Sequence, residues 1–223
     1  MRILAIDTTT RFLCLGIHDK GINYEYTIEM GPRLSSLLAV TIERSLNALG
    51  YDPSDIDYFA CGLGPGSFTG IRVGVAAIKG FGLALEKPIV GIPTLDLLAR
   101  NTDIKEGYVV PAVDAKRNLI YCAIFKKNNG SIKRTSPYML LGPDEFCRKV
   151  SAHSFILGDA VALYRQEMLK GIKGANLLDK DYWYPRPDKL LDIALEKIRK
   201  KKVTNAFAVK PIYLYPKECQ VKK

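Results

Sequence analysis

The sequence predicts an α/β protein built from mixed β-sheets with flanking helices, laid out in two similar halves, and three observations carry that prediction. The apolar run Ile3-Leu4-Ala5-Ile6 opens a series of strand-like segments that gives way to apolar residues at helical spacing. The order strand, strand, strand, helix then appears a second time further along the chain. Each half begins with an apolar strand that ends in aspartate, Ile6-Asp7 in the first and Val113-Asp114 in the second.

Arg2 to Asp7, Phe12 to His18 and Ile22 to Ile28 read as three strands, the first apolar enough to be covered on both faces. Leu34, Leu37, Leu38, Ile42, Leu46 and Leu49 follow at three- and four-residue spacing, with Ser35 or Ser36 as N-cap and Gly50 as terminator. Asp57 to Cys61 makes a fourth strand, a Gly/Pro loop leads to a helix over about Thr69 to Leu85, and Pro88 to Ile92 is again a strand. The polar stretch Asn101 to Gly107 marks a boundary, giving lobes at 1–104 and 105–223. In the second, Tyr108 to Asp114, Leu119 to Lys126 and Ile132 to Tyr138 read as strands, the last two joined by the turn Asn128-Asn129-Gly130. A helix near Pro187 to Lys202 has the option of packing back on the first lobe.

With 223 residues, 48% of them hydrophobic and 25% charged, the chain has ample material for a core. The longest apolar stretch, Val73 to Val90, is broken by Lys79, Glu86, Lys87 and Pro88, short of the roughly 18 uncharged residues of a membrane span. The first residues lack the apolar core and cleavage site of a signal peptide, so a cytoplasmic protein without membrane attachment is expected. Five scattered cysteines (Cys14, Cys61, Cys122, Cys147 and Cys219) argue against a disulfide framework or a zinc site, and three of them sit in apolar runs as small buried residues. Of the net charge of +10, residues Arg186 to Lys223 carry +7, which leaves +3 for everything before them. The densest part, Lys197 to Lys202, ends a predicted helix, where cations oppose the dipole; a solvated helix end and a phosphate contact by Arg199, Lys200, Lys201 and Lys202 are both open readings. The terminal Lys222 and Lys223 extend the second reading.

Two motifs bear on chemistry. The turn Asp7-Thr8-Thr9-Thr10 resembles the phosphate hairpin of the actin-like (ribonuclease H-like) superfamily, in which backbone N–H groups cradle a phosphate and the aspartate orients a metal or water. Asp114-Ala115-Lys116 is its candidate counterpart. The second motif is the run Gly62 to Gly74, which includes Gly-Pro-Gly-Ser-Phe-Thr-Gly and feeds a helix carrying Gly70, Gly74, Gly80 and Gly82. Each interior helical glycine costs about 1 kcal/mol against alanine, so close approach of another backbone, from this chain or a partner, is expected there. The lysine of a nucleotide-binding P-loop is missing.

Together with Ile3-Leu4-Ala5-Ile6-Asp7-Thr8, Lys79-Gly80, Pro88 to Leu95, Asp114-Ala115-Lys116, Gly158-Asp159 and Pro211 to Leu214, this run resembles the TsaB (YeaZ) family in order across nearly the whole chain. That resemblance implies an actin-like two-lobed fold and a non-catalytic role in forming threonylcarbamoyladenosine in tRNA, with TsaD as catalytic partner and the ATPase TsaE as a further one. It also implies a homodimer when the chain is alone, and no cofactor in the isolated chain, with ATP or ADP at an interface within the complex. The expected partner face comprises Ser35, Leu37, Val40, Gly66, Ser67, Phe68, Thr69, Gly70, Arg72, Val73 and Ala77. One alternative is a phosphotransferase holding ATP through Asp7 and Thr8 to Thr10. Another is a glycoprotease-like metallopeptidase, for which the sequence offers only His18 and His153 and no paired spacing. No catalytic or metal-ligating residue is assigned, since Ser67 has no adjacent base and Cys61 lies in an apolar strand.

Overall fold

Residues 1–216 are described by a computed structural model; Cys219, Lys222 and Lys223, invoked above, lie outside the described residues. In chain order, β1 spans Arg2–Asp7, β2 Phe12–Asp19 and β3 Ile22–Glu29, followed by α1 over Leu34–Asn47. Next come β4 (Tyr58–Gly62), α2 (Phe68–Ala84), β5 (Ile89–Ile92) and α3 (Thr94–Leu98). The second series is β6 (Glu106–Lys116), β7 (Leu119–Cys122), β8 (Phe125–Asn128), β9 (Ser131–Arg134) and β10 (Met139–Leu141). It continues with α4 (Pro143–Lys149), β11 (Phe155–Leu157), α5 (Ala160–Gly171), β12 (Asn176–Leu177) and finally α6 (Pro187–Arg199). Two compact units result, one formed by Met1–Leu97 with Pro185–Ile212, the other, among the described residues, by Leu98–Tyr184 with residues 213–216. The first unit is therefore discontinuous, and α6 belongs to it.

In the first unit a five-stranded sheet has the order β3-β2-β1-β4-β5. The hairpin strands β1, β2 and β3 pair antiparallel, whereas β4 and β5 join β1 in parallel. The alternation of side chains along a strand explains the apolar run of β1. Leu4 and Ile6 join the core shared with α1 and α2, while Ile3 and Ala5 face Leu190, Leu191, Ile193 and Ala194 of α6. Both faces of β1 are thus covered, and each fully buried Ile or Leu contributes about 1.5–3 kcal/mol. Gly16 of β2 lets α6 approach: a Cβ there would lie 2.8 Å from Cγ of Leu191.

The second unit repeats this topology in a seven-stranded sheet whose main path is β10-β7-β6-β11-β12. β6 pairs antiparallel with β7 and β7 with β10, while β11 and β12 add in parallel, so β6, β7, β10, β11 and β12 stand where β1, β2, β3, β4 and β5 stand in the first unit. Val110, Ala112, Ile120, Phe146, Ile156, Val161, Met168 and Trp183 form its core. The duplicated βββαβα pattern is present, with one addition, the β8–β9 hairpin, which pairs with the first half of β6.

Several expected element boundaries move. The first-turn serines of α1 do not cap it: Arg33 occupies the N-cap position without a side-chain bond, and Ser36 Oγ donates back to Arg33 O at 3.0 Å. A 3-10 turn over Gly31–Arg33 already supplies the helix entry, which leaves the serines inside the helix. Gly50 does end it, at φ +71. The expected strand Leu119 to Lys126 is two strands, because Ile124 leaves the ladder to receive Thr135 N–H at its carbonyl and to give its own N–H to Ser136 Oγ. Of the expected strand Ile132 to Tyr138 only Ile132 to Arg134 is strand, in β9; the chain leaves the ladder through Ser136-Pro137 and β10 starts only at Met139.

Candidate functional site

The Asp7 turn and the glycine-rich run, separate in sequence, form one packed structure in the first unit. Strand β1 delivers Asp7, Thr8 and Thr9 to its carboxyl end, and all three are buried. One Asp7 carboxylate oxygen accepts from Thr9 N at 2.8 Å and Thr9 Oγ1 at 2.7 Å, and the other accepts from Thr94 Oγ1 at 2.9 Å. Burial pushes the Asp7 carboxyl up from its ordinary value, and these bonds from Thr9 and Thr94 oppose the shift.

Opposite this turn lie the glycines. An added Cβ would stand 2.1 Å from Asp7 Oδ2 at Gly62, 2.5 Å from Thr9 O at Gly66, 2.0 Å from Thr8 O at Gly70 and 2.1 Å from Thr8 Oγ1 at Gly74. Thr8 Oγ1 donates to Gly70 O at 2.7 Å, and Ser67 N–H donates to Thr9 O at 2.7 Å. Ser67 Oγ caps α2 by accepting from Gly70 N–H at 3.2 Å. The backbone whose approach offsets the helical glycines is therefore the turn of the same chain. Gly82 packs in the same way against Ile89, and Gly80 alone of the α2 glycines meets open space. With its acceptors engaged and the glycine face against it, the Asp7 turn is filled by protein.

The residues expected to meet a partner divide accordingly. Gly70 is buried and Gly66 half-buried against Thr8 and Thr9. Ser35, Leu37 and Val40 on α1 are exposed, as are Ser67, Phe68, Thr69 and Arg72 at the start of α2, with Val73 and Ala77 half-buried beside them. For apolar side chains the exposure is large: 37% for Leu37, 40% for Val40 and 40% for Phe68. The Arg72 guanidinium lies 3.7 Å from the Phe68 ring centroid, a stacked pair presented outward on one helical turn. α1 packs beside α2, and its side turned to β3 borders a groove lined by Tyr26, Ile28, Thr41, Arg44, Ser45 and Ala48.

The basic segment closes α6. Lys197 Nζ donates to Gly91 O at 2.6 Å, Lys200 Nζ pairs with Glu196 at 2.7 Å, and Lys202 N–H donates to Lys197 O. Arg199, Lys200, Lys201 and Lys202 are exposed. His18, half-buried on β2, has Nδ1 2.7 Å from Asn23 Oδ1, and His153 is exposed in a loop of the second unit. Among the described residues no three His, Cys, Asp or Glu side chains come together as metal ligands. Burial pushes the Cys61 thiol up to about 12, and the Cys122 thiol likewise, which leaves neither as a thiolate near neutral pH. Among the described residues no helix is long and apolar enough to cross a membrane.

In the second unit, the counterpart turn is built differently. Asp114 Oδ1 accepts from Lys116 N–H and Oδ2 pairs with exposed Lys116 Nζ at 2.6 Å, while Asp159 at the head of α5 accepts from Asp114 N–H at 2.9 Å. Burial holds the Asp159 carboxyl above its ordinary value. Thr94 and Asp159, which organise the two turns, are not among the site residues expected from sequence; they act across 87 and 45 residues respectively, and the only signal for them is that both fall within the motifs carrying the family resemblance.

A family model described as TsaD, tRNA N6-adenosine threonylcarbamoyltransferase, matches residues 31–152, more than half of the chain. Among curated proteins, the chain is 28% identical to the tRNA threonylcarbamoyladenosine biosynthesis protein TsaB of Bacillus subtilis, covering 100% of this chain and 97% of that one. It is 29% identical to the Escherichia coli protein of the same name, over 96% and 94% of the two chains. Among solved structures, YeaZ from Pseudomonas aeruginosa superposes with a TM-score of 0.82 at 22% identity, over 96% of this chain and 99% of that one, which is a likeness of fold.

Proposed function

Because the chain belongs to the TsaD family, described as tRNA N6-adenosine threonylcarbamoyltransferase, we propose that it is a non-catalytic subunit of the machinery that forms threonylcarbamoyladenosine in tRNA. Its full-length similarity to two TsaB proteins supports the pathway. Its role is to bind and support a catalytic TsaD subunit, with TsaE as a further partner. One observation carries the choice of scaffold over catalyst: the Asp7 turn is packed shut by Gly62, Gly66, Gly70 and Gly74, while apolar Leu37, Val40 and Phe68 are left outside. An Asp7 carboxylate already held by Thr9 and Thr94 is not free to orient a metal ion or a water for phosphoryl transfer. Exposed apolar side chains on neighbouring helices are what a partner buries, about 800 Å² on each side in a stable interface.

The interface in this reading comprises Ser35, Leu37, Val40, Ser67, Phe68, Thr69, Arg72, Val73 and Ala77, with Gly66 and Gly70 acting behind it by seating α2 on the turn. Without the partner, the same face pairs with itself, as related surfaces form isologous dimers. The protein works in the cytoplasm, where its tRNA substrate is. Nucleotide, where it acts, sits at a subunit interface of the complex, and the phosphotransferase alternative would require the Asp7 turn to open.

Size-exclusion chromatography of an equimolar mixture with TsaD from the same source tests the reading. Co-elution that is lost in Val40→Asp or Arg72→Glu is expected, whereas separate elution of the wild-type chains would overturn it. Nucleoside mass spectrometry of reconstituted reactions separates scaffold from catalyst: product requires both chains and is absent with this chain alone. Calorimetry of the isolated chain should register no ATP or ADP; tight binding would restore the phosphotransferase.

A further inference from the structure

The β8–β9 hairpin is the one strand pair of the second sheet with no counterpart in the first, and it is built from unusual residues. Residues 115–143 hold Lys116, Arg117, Lys126, Lys127, Lys133 and Arg134, and no Asp or Glu. Strand register brings part of this charge together. Tyr108 of β6 lies opposite Lys126 of β8, and Lys126 lies opposite Lys133 of β9, so the three form a row across three strands on one face. All three are exposed. The other face is different: Phe125 is buried there, and Lys127 turns its Nζ to Thr102 O.

Like charges directly opposite across an antiparallel pair cost stability. Neither Lys126 nor Lys133 is ion-paired among the described residues; the acid on this face, Glu106, stands opposite Asn128, diagonal to Lys126 and away from Lys133. The register is held by the Asn129-Gly130 turn, both residues at positive φ, so the lysines are set against each other by the backbone. Arg134, the last residue of β9, stands opposite Phe125 on the other face and stacks over Tyr138 at 3.8 Å, so it is not part of this row.

We propose that the face of the β6–β8–β9 sheet bearing Tyr108, Lys126 and Lys133 is an RNA-contact surface, the two lysines meeting phosphates and the tyrosine ring stacking on a base. Adjacent strands are about 4.8 Å apart, so two flexible ammonium groups in line match the closely recurring charges of one nucleic-acid strand. An exposed aromatic ring beside cations is the combination that single-stranded nucleic acid uses. A bound polyanion also relieves the lysine–lysine repulsion, which explains why an otherwise unfavourable pair is kept. The assignment to RNA rests on the tRNA-modification reading above; the surface itself rests on register and charge.

The test is fluorescence anisotropy of unmodified tRNA transcript with the full chain across a salt series, using Lys126→Glu, the double variant Lys126→Glu/Lys133→Glu, Tyr108→Ala, and Lys200→Glu/Lys201→Glu at the end of α6. Each reversed hairpin lysine should make the slope of log affinity on log salt shallower by about 1. Tyr108→Ala should weaken binding about fivefold or more. Lys126→Glu places opposite charges across the strands, so its melting temperature should equal or exceed the wild-type value while its affinity falls, which separates loss of contact from loss of fold. Wild-type affinity in the hairpin variants, loss confined to the α6 variant, or no tRNA binding by the wild-type chain overturns the proposal. So does a Lys126→Glu effect confined to co-elution with TsaD, which would make the face a protein contact. Failure of the wild-type chains to co-elute, with hairpin-dependent tRNA binding intact, would instead remove the partner-subunit reading and leave this one standing.

Discussion

The two units share a topology and differ in how they fill the turn after their first strand. In the first, Asp7 is buried, its carboxylate takes three bonds from Thr9 and Thr94, and four glycines close over it. In the second, Asp114 pairs with an exposed lysine two residues on, and the chain passes through Lys116, Arg117 and Asn118, all at positive φ. One fold has thus solved the same corner by packing in one case and by local polar contacts in the other. The packed corner frees the outer side of α2 to carry apolar residues, and the polar one leaves its surroundings cationic.

The largest test of that contrast is Gly70→Val, where the side chain would run into Thr8 O; a loss of about 3 kcal/mol or more in urea unfolding is expected. Gly158→Ala probes the second unit, since Gly158 sits at φ +112 with Ala112 O 2.2 Å from an added Cβ. Its expected loss is about 2–3 kcal/mol, combining overpacking with backbone strain. The aspartates should rank in the same direction. Asp7→Ala strands buried donors of Thr9 and Thr94 and should cost about 2–4 kcal/mol, whereas Asp114→Ala should cost about 1 kcal/mol. Equal losses at the two positions would erase the distinction. Gly80→Ala runs the other way, gaining about 0.5–1 kcal/mol because open space receives the methyl group.

The smallest effects are in pH dependence. Asp7 and Asp159 hold their protons more tightly folded than unfolded, so their contribution favours the folded state in acid and is withdrawn as pH rises from the ordinary carboxyl range through the raised values. Asp19 is the reverse case. The Tyr51 hydroxyl at 2.8 Å, and then Arg2, keep it below the ordinary range, so its contribution is present above that range and lost on acidification. Asp7→Asn should flatten the decline on raising pH, and Tyr51→Phe should move the acid unfolding midpoint upward, both readable from thermal melts across pH.

Legibility from sequence followed the range of the interactions. β1, β2 and β3 and the stripe of α1 are written in local periodicity and match the structure within a residue or two. The break at Ile124 was not legible, because the apolar run from Leu119 to Phe125 holds no turn residue and the bonds that end β7 come from Thr135 and Ser136. α5 also escaped, with Tyr164 non-helical inside it and an interrupted apolar pattern. The glycines of α2 announced a close neighbour by their cost but not its identity, since Thr8 is 62 residues from Gly70. The basic hairpin was hidden by counting charge over long segments, where acids elsewhere masked the acid-free stretch.

The place of α6 has a consequence for synthesis on the ribosome. The face of β1 and β2 that carries Ile3, Ala5 and Cys14 waits for Leu190, Leu191 and Ala194, and Gly16 keeps a recess for Leu191 and the Pro187 carbonyl. Until that late segment emerges, a nascent chain holding every strand of the first sheet still shows an oily flank to water. The intervening residues of the second unit are therefore made while the first is unfinished, and a chain stopped at Tyr184 becomes a client for chaperones or proteases rather than a smaller working protein.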